Sequence, residues 1–153
     1  MSIDVGTAAP DFDLDLGGGA RVRLSDFRDR RNVLLVFHPF AFTPVCEDEA
    51  RDLQENLRAF ENADRVVVIL SCDPPPSRQA WKEQLGLSYS LGSDFWPHGE
   101  AARAYDVFDE QRGAPIRGTF LIDKGGTVVW RLVNDADTRR EELVSGPLSV
   151  PVE

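Results

Sequence analysis

The sequence predicts an α/β protein with a mixed central β-sheet and helices on both faces. Two short, wholly apolar runs, Val33–Phe37 and Val66–Leu70, are rich in β-branched residues and are typical of strands covered on both sides. Between them, residues 43–60 carry apolar side chains at every third or fourth position, which is the period of a helix packed on one face. A strand, a helix and a second strand in this order indicate a β-α-β unit.

The flanking segments predict further elements of the same sheet. Gly17-Gly18-Gly19 separates two strand-like stretches, Phe12–Leu16 and Arg21–Leu24, and so predicts an N-terminal β-hairpin. Ser25-Asp26 is predicted to cap a short helical turn, and Asp123-Lys124-Gly125-Gly126 predicts a second hairpin turn. The other predicted elements are strand Val66–Ser71, helix Ser77–Leu85 capped by Ser77 and ended by Gly86, strand Leu87–Leu91, helix Pro97–Tyr105, strands Thr119–Ile122 and Val128–Leu132, helix Asp137–Val144 and an irregular tail Gly146–Glu153.

Length and composition narrow the class of protein. The 153 residues fit one domain over positions 1–153, and the net charge of −9 argues against a nucleic-acid-binding module. No apolar run approaches the roughly 20 residues of a membrane-spanning helix, and no signal peptide is visible, so we expect a cytoplasmic protein that binds no membrane. Two cysteines cannot form a disulfide framework, so each is read as reactive or as part of the core.

The segment that carries chemistry runs from His38 to Glu49, where a buried strand ends and a helix begins. Pro39 cannot extend the hydrogen-bond ladder of the strand, and Pro44 favours the first turn of a helix. Cys46 therefore falls in that first turn, near unpaired backbone N–H groups and the positive end of the helix dipole. Both stabilise a thiolate, which is the nucleophilic form of cysteine.

Thr43 lies one helical turn before Cys46. Its hydroxyl can donate a hydrogen bond to the sulfur and accept another from a substrate with two adjacent oxygens. The alternative is that Thr43 only caps the helix. We favour the functional interpretation.

These residues lead to a resemblance. The pattern Pro39-x-x-x-Thr43-x-x-Cys46 resembles the active-site signature of the peroxiredoxins, thiol-dependent peroxidases on an elaborated thioredoxin fold. The resemblance extends over roughly residues 3 to 133. Within the family, the chain resembles the one-cysteine branch of the AhpE type in particular. It also rests on Val5-Gly6-x-x-Ala9-Pro10-Asp11-Phe12, Asn32–Phe37, Ser93-Asp94-Phe95-Trp96-Pro97-His98-Gly99 followed by Ala104-Tyr105, and Arg117-Gly118-Thr119-Phe120-Leu121-Ile122-Asp123.

The resemblance implies a division of roles. Cys46 would attack a peroxide oxygen and become a sulfenic acid, while Arg117 from a distant strand would hold positive charge beside the sulfur and the peroxide. For Arg117 the alternative is a surface ion pair. Pro39 would shield the sulfur, and an apolar collar of Pro39, Phe40, Phe42 and Val45 would favour organic hydroperoxides over hydrogen peroxide, with peroxynitrite as a further candidate.

Two polar residues keep two interpretations each. Glu49 matches a family position whose carboxylate orients the active-site arginine, or it is only a capping carboxylate. A His-Pro like that of His38 occurs in another one-cysteine branch of the family, where the imidazole lies close to the sulfur. The alternative, which we slightly favour, is that His38 is a core residue at a strand end.

Cys72 decides how the catalytic cycle is expected to close. It is either a buried, inert side chain, which is the default, or a resolving thiol that forms a disulfide with Cys46. In the default, one-cysteine cycle, an external thiol reduces the sulfenic acid: mycothiol with a mycoredoxin-like partner, a glutaredoxin-like protein or thioredoxin. The resemblance also implies a homodimer, and we expect no metal and no organic cofactor. The rival functions are a two-cysteine peroxidase and a peroxide-sensing protein with a thioredoxin fold.

Overall fold

A mixed β-sheet of seven strands organises the computed structural model, which describes residues 3–150. Residues 3–150 contain nine strands in all, seven of them in this sheet: β1 (Asp13–Gly17), β2 (Ala20–Arg23), β3 (Asn32–Phe37), β4 (Arg65–Ser71), β5 (Ser90–Ser93), β6 (Phe108–Asp109), β7 (Ala114–Pro115), β8 (Arg117–Ile122) and β9 (Val128–Asn134). The helices are α1 (Pro44–Glu55), α2 (Leu57–Phe60), α3 (Pro75–Leu85), α4 (Glu100–Ala104) and α5 (Ser145–Leu148), with a 3-10 helix at Leu24–Phe27.

The strand order in the sheet is β2-β1-β5-β4-β3-β8-β9, while β6 and β7 form a separate small hairpin. β3 is parallel to β4, and β4 is parallel to β5, as the crossover helices α1 and α3 require. β8 pairs antiparallel with the other side of β3, and the hairpin β1–β2 joins antiparallel to β5. The predicted mixed sheet with an N-terminal hairpin is therefore confirmed.

Nearly all side chains of the central strands β3 and β4 are buried. Because alternate side chains point to opposite sides of a strand, both faces of the sheet are covered there. One face packs against α1, α2 and α3, and the other packs against α4, with Leu14 and Val22 of the edge hairpin β1–β2 on that same face. The first face is built from Leu34, Val36, Val67 and Ile69 with Cys46, Leu53, Phe60 and Trp81. The second is built from Val33, Leu35, Val66, Val68 and Leu70 with Leu14, Val22, Ala101, Ala102 and Tyr105.

The predicted helix over residues 43–60 is interrupted. α1 ends at Glu55, and Asn56 leaves the helical conformation with φ −108° and ψ 17° before α2 begins. The side-chain amide of Asn56 donates to the carbonyl of Asp52 at 2.8 Å, which gives the chain a local alternative to the helical ladder.

Other boundaries also differ from the prediction. α3 begins at Pro75, so Ser77 lies inside the helix and does not cap it, whereas Gly86 ends α3 as predicted with φ +66°. The predicted strand Leu87–Leu91 is found later, as β5. α4 begins only at Glu100, because the Asp94 carboxylate accepts from the N–H groups of Ala101 and Ala102 and so caps the helix there.

The C-terminal segment is the largest error of the prediction. Residues 137–144 form turns where a helix was predicted, and α5 lies at the start of the segment predicted to be irregular. Asp135 accepts from the Thr138 hydroxyl at 2.6 Å and from the N–H of Asp137 at 3.2 Å, which stabilises a turn. The last three residues of the predicted tail, 151–153, lie outside the described part of the chain.

Candidate active site

The candidate nucleophile lies where the sheet passes into its first long helix. β3 ends at Phe37, the N–H of His38 still donates to Leu70, and a short loop leads to Thr43, the N-terminal cap residue of α1. Cys46 is in the first turn of α1 and is 2% exposed. This placement agrees with the prediction from Pro39 and Pro44. The sulfur therefore lies close to the positive end of the helix dipole.

The guanidinium of Arg117, 71 residues further along the chain, contacts this sulfur. Arg117, the first residue of β8, is 3% exposed, and its Nη1 donates to Cys46 Sγ at 3.3 Å. Its Nε donates to the carbonyl of Ala136 at 2.9 Å, which fixes the plane of the group. The surface ion pair that was the alternative for Arg117 is not what the structure contains.

Glu49 lies one turn after Cys46 on α1, on the same buried side of the helix. Its Oε1 accepts from Arg117 Nη1 at 2.6 Å, so the carboxylate holds the nitrogen that contacts the sulfur. Burial raises the pKa of Glu49, but hydrogen bonds and ion pairs with Arg140 and Arg117 outweigh burial, and the net pKa is lowered. Glu49 is therefore ionised at neutral pH, and it contacts Arg117 instead of only capping the helix.

Sequence reasoning missed Arg140. Its side chain is fully buried, and it donates to both oxygens of Glu49 and to the hydroxyl of Thr119 at 2.7 Å. No local pattern distinguishes Arg140 from the neighbouring Arg139, which lies in an exposed ion pair with Asp52. The one sequence feature that could have pointed to a partner such as Arg140 is Glu49, because an acid on the buried side of a helix needs cationic partners.

Thr43 is brought to the site, but its hydroxyl makes a different contact from the predicted ones. The hydroxyl donates to the carbonyl of Phe40 at 2.8 Å, and the side chain makes no capping hydrogen bond. The donor is thus used within the loop and not on the sulfur, because the loop folds the Phe40 carbonyl back over Thr43. The lone pairs of the hydroxyl can still accept a hydrogen bond.

The four residues of the predicted apolar collar differ in how far they are exposed. Pro39 is buried and Val45 is half-buried, whereas Phe40 and Phe42 are exposed. Phe42 adopts a positive φ of 65° and its ring lies 6.5 Å from that of Trp81, centroid to centroid. The loop is anchored by the N–H of Ala41, which donates to the Asp73 carboxylate at 2.8 Å.

His38 is buried and stacks on Trp81, with ring centroids 5.1 Å apart. Its Nε2 lies 2.7 Å from Nη1 of Arg78, and burial together with the charges of Arg78, Arg140 and Arg117 holds the pKa of His38 well below its usual value. A guanidinium only donates, so Nε2 accepts and the ring is neutral.

Cys72 is buried at the end of β4, in agreement with its inert interpretation. Burial, with smaller contributions from Asp94 and Asp73, raises the pKa of the Cys72 thiol to about 12. A thiol of this kind carries almost no thiolate at neutral pH and is a poor nucleophile. Both cysteines are free.

Two further features concern ligands and membranes. Within residues 3–150, no group of three or more His, Cys, Asp or Glu side chains is placed to hold a metal ion. In the same range, the helices are too short or too polar to span a bilayer.

Comparisons with known proteins show the family of the chain. Residues 5–131 match the model of the AhpC/TSA family. The alkyl hydroperoxide reductase E of Mycobacterium tuberculosis strain H37Rv is 44% identical over 126 residues, which is 82% of either chain. The peroxiredoxin Bcp of Bacillus subtilis is 33% identical over 151 residues and 94% of either chain.

Solved structures show the same fold. A reduced 2-Cys peroxiredoxin from Plasmodium vivax superimposes with a TM-score of 0.83 at 30% identity, covering 94% of this chain and 78% of that one. The peroxidoxin BcpB of Mycobacterium tuberculosis gives 0.84 at 27% identity, with 96% and 95% covered. The chain therefore belongs to the AhpC/TSA family, the peroxiredoxins, and is a thiol-dependent peroxidase with a thioredoxin-like fold.

Proposed function

We propose that Cys46 is the peroxidatic cysteine and that it reduces hydroperoxides through a sulfenic acid. The Cys46 thiolate attacks one oxygen of the substrate, an S–O bond forms and the O–O bond breaks. The sulfur supplies the two electrons, and the departing oxygen takes a proton and leaves as water or an alcohol. The observation that carries the proposal is the contact of 3.3 Å between Arg117 Nη1 and Cys46 Sγ in a buried site.

Arg117 is proposed to stabilise negative charge in the ground state and in the transition state. The cluster holds two guanidiniums, Arg117 and Arg140, and one carboxylate, Glu49. The carboxylate offsets one positive charge and leaves one for the thiolate. During attack, negative charge moves from sulfur to the departing oxygen, and a guanidinium fixed in advance can follow it without reorganisation.

The remaining loop residues are proposed to shape the substrate site. Thr43 would accept a hydrogen bond from the peroxide while its own hydroxyl continues to donate to the Phe40 carbonyl. Pro39 would shield the sulfur from water, and Val45 and Phe42 would contact the organic part of a substrate. Hydrogen peroxide, organic hydroperoxides and peroxynitrite are the proposed substrates, and the name of the alkyl hydroperoxide reductase E relative supports the organic ones.

We propose a one-cysteine cycle that an external thiol completes. Cys72 is buried and poorly ionised, which makes it a poor resolving thiol. The candidate reductants are mycothiol with a mycoredoxin-like partner, a glutaredoxin-like protein and thioredoxin. Turnover assays with each reductant in turn, at a fixed peroxide concentration, identify the one that supports catalysis.

The decisive experiment combines turnover with mass spectrometry. The reduced protein should consume peroxide, and one equivalent of peroxide with dimedone should place a single adduct on Cys46. Cys46→Ser should abolish consumption, whereas Cys72→Ala should retain it. A Cys46–Cys72 disulfide in non-reducing mass spectrometry would instead establish the two-cysteine peroxidase. Oxidation without rapid turnover by any thiol would favour the sensor.

We further propose that the chain is a single domain that works as a cytoplasmic homodimer. Trp96 is 80% exposed and Phe42 is 48% exposed, and aromatic side chains are enriched in protein–protein interfaces. Analytical ultracentrifugation should find a dimer, and Trp96→Glu should shift the equilibrium towards monomer. Monomers at all micromolar concentrations would contradict the dimer.

A further inference from the structure

Arg78 is a buried cation to which sequence reasoning assigns no function. It lies on α3, is 2% exposed, and forms no ion pair with a carboxylate among the residues that the structure describes. Its guanidinium donates from Nε to the carbonyl of Gly92 at 3.1 Å and from Nη2 to that of Ile69 at 3.1 Å. A buried charge without a counter-ion is costly, so its presence calls for an explanation.

The third contact of Arg78 leads to the catalytic loop. Nη1 donates to Nε2 of His38 at 2.7 Å, and His38 directly precedes Pro39. Because Arg78 occupies the acceptor nitrogen, the proton of the neutral ring must lie on Nδ1. Both side chains pack on Trp81, Arg78 at 5.6 Å from its ring centroid, and Trp81 belongs to the same buried cluster as Cys46.

The charge of Arg78 also bears on the active site. Burial lowers the pKa of Arg78 to about 10, so the group remains charged at neutral pH. The negative charges that oppose this decrease at neutral pH are Asp73 and, when it is ionised, Cys46, because burial raises the pKa values of Tyr89 and Cys72 and keeps both groups neutral. Asp73 is already engaged by the N–H of Ala41 and the hydroxyl of Ser71. A thiolate at Cys46 is therefore one of the few negative charges that can offset Arg78.

We propose that Arg78 is a positioning residue of the active site, which fixes the His38 ring at the start of the catalytic loop and adds a buried positive charge that stabilises the Cys46 thiolate. The inference rests on the proposed role of Cys46 and deepens it. Three buried guanidiniums then hold residues of the site: Arg117 and Arg140 contact Glu49, and Arg78 contacts His38. The guanidinium of Arg78 acts through His38 and through its charge, without a contact to substrate.

The test is the pH dependence of Cys46 alkylation by iodoacetamide, followed by mass spectrometry so that Cys72 does not contribute. Arg78→Gln should move the midpoint of this profile up by about one pH unit and slow oxidation by hydrogen peroxide about tenfold at a pH below the midpoint. Arg78→Lys retains the charge and should show less than half of the shift. Arg21→Gln removes the same charge from the exposed hairpin and should leave the midpoint unchanged.

A purely structural role would lower the melting temperature of Arg78→Gln and leave the alkylation midpoint unchanged, which would overturn the inference. The parent protein provides a test that needs no variant, should Arg78→Gln fail to fold. Its His38 ring should show, in nitrogen-15 NMR, a proton on Nδ1 and a pKa well below that of a free histidine. A ring that titrates near pH 6.5, or one protonated on Nε2, would contradict the proposal.

Alkylation does not require peroxide, so the two proposals can fail separately. A parent protein that consumes no peroxide, together with a shifted midpoint in Arg78→Gln, would end the proposed peroxidase role of Cys46 and leave the role of Arg78 intact. An active parent with an unshifted midpoint would do the reverse.

Discussion

Glu49 and Arg140, which lie 91 residues apart in the chain, are joined by three hydrogen bonds in the buried site. The backbone N–H and Nε of Arg140 both donate to Oε2, and Nη2 donates to Oε1. The same Oε1 accepts from Arg117, so one carboxylate aligns both cations. The orientation of the Arg117 guanidinium beside Cys46 thus depends on Arg140, which belongs neither to β8 nor to α1.

Replacing Glu49 should cost both stability and activity. Glu49→Gln leaves two buried guanidiniums without their counter-ion, and breaking a buried pair in this way costs about 3–5 kcal/mol of unfolding free energy. Arg117 also loses the acceptor that orients it, so peroxide reduction should slow. Chemical denaturation at pH 7 and stopped-flow oxidation measure the two effects. Asp48→Asn, on the exposed side of the same helix, is the control and should change stability by less than about 0.5 kcal/mol.

The stabilisation from Glu49 should depend on pH in one direction. Its pKa in the folded protein is lowered, so the stabilisation is fully present above the unfolded value near 4.5 and is lost as the pH falls through the folded pKa. The difference in unfolding free energy between the parent and Glu49→Gln should be constant from pH 7 to about pH 5 and shrink below it. A difference that grows on acidification would contradict the assignment of an ionised Glu49.

Neighbouring arginines offer a matched comparison. Arg140→Met removes a buried cation and leaves Glu49 with one partner, and we expect a loss of about 3 kcal/mol or more together with slower oxidation. Arg139→Met removes an exposed cation and should cost less than about 1 kcal/mol. Thermal and denaturant unfolding of both variants measures the contrast. Equal losses would mean that the buried cluster is not the source of the effect.

Cys72 should behave as a core residue in every assay. Because its pKa is raised to about 12, iodoacetamide at pH 8 should leave Cys72 unlabelled in the folded protein and label it after unfolding in guanidinium chloride. Peptide mass spectrometry distinguishes the two cysteines. Labelling of Cys72 in the folded protein at a rate similar to that of Cys46 would show that the thiol is accessible, and would revive the resolving role.

The parts of the fold that follow local rules could be predicted from the sequence. The apolar runs identified β3 and β4, the three glycines identified the turn between β1 and β2, and Pro44 identified the start of α1. The predicted helix Asp137–Val144 is wrong because tertiary contacts decide that segment. The turn at Asp135 and the burial of Arg140 against Glu49 outweigh its helical propensity.

The site residues likewise divide into those that local sequence predicts and those that depend on contacts between distant parts of the chain. Local sequence was enough to place Cys46 at the start of a helix, whereas Arg117 came only from the resemblance to the peroxiredoxins. Arg140 and Arg78 were missed because their partners, Glu49 and His38, lie 91 and 40 residues away. Their importance depends on burial, and a lone arginine in a sequence is normally expected on the surface.

The most direct test of the account is the rate at which hydrogen peroxide oxidises Cys46 in the parent protein and in Arg117→Ala, followed by stopped-flow tryptophan fluorescence. Arg131→Ala, at a half-buried arginine on the adjacent strand β9 that pairs with Asp4, is the control. The account predicts that Arg117→Ala reacts at least about tenfold more slowly than the parent, because it loses the charge 3.3 Å from the sulfur. The control should match the parent. Oxidation of Arg117→Ala at the parental rate would contradict the claim that this guanidinium promotes the reaction.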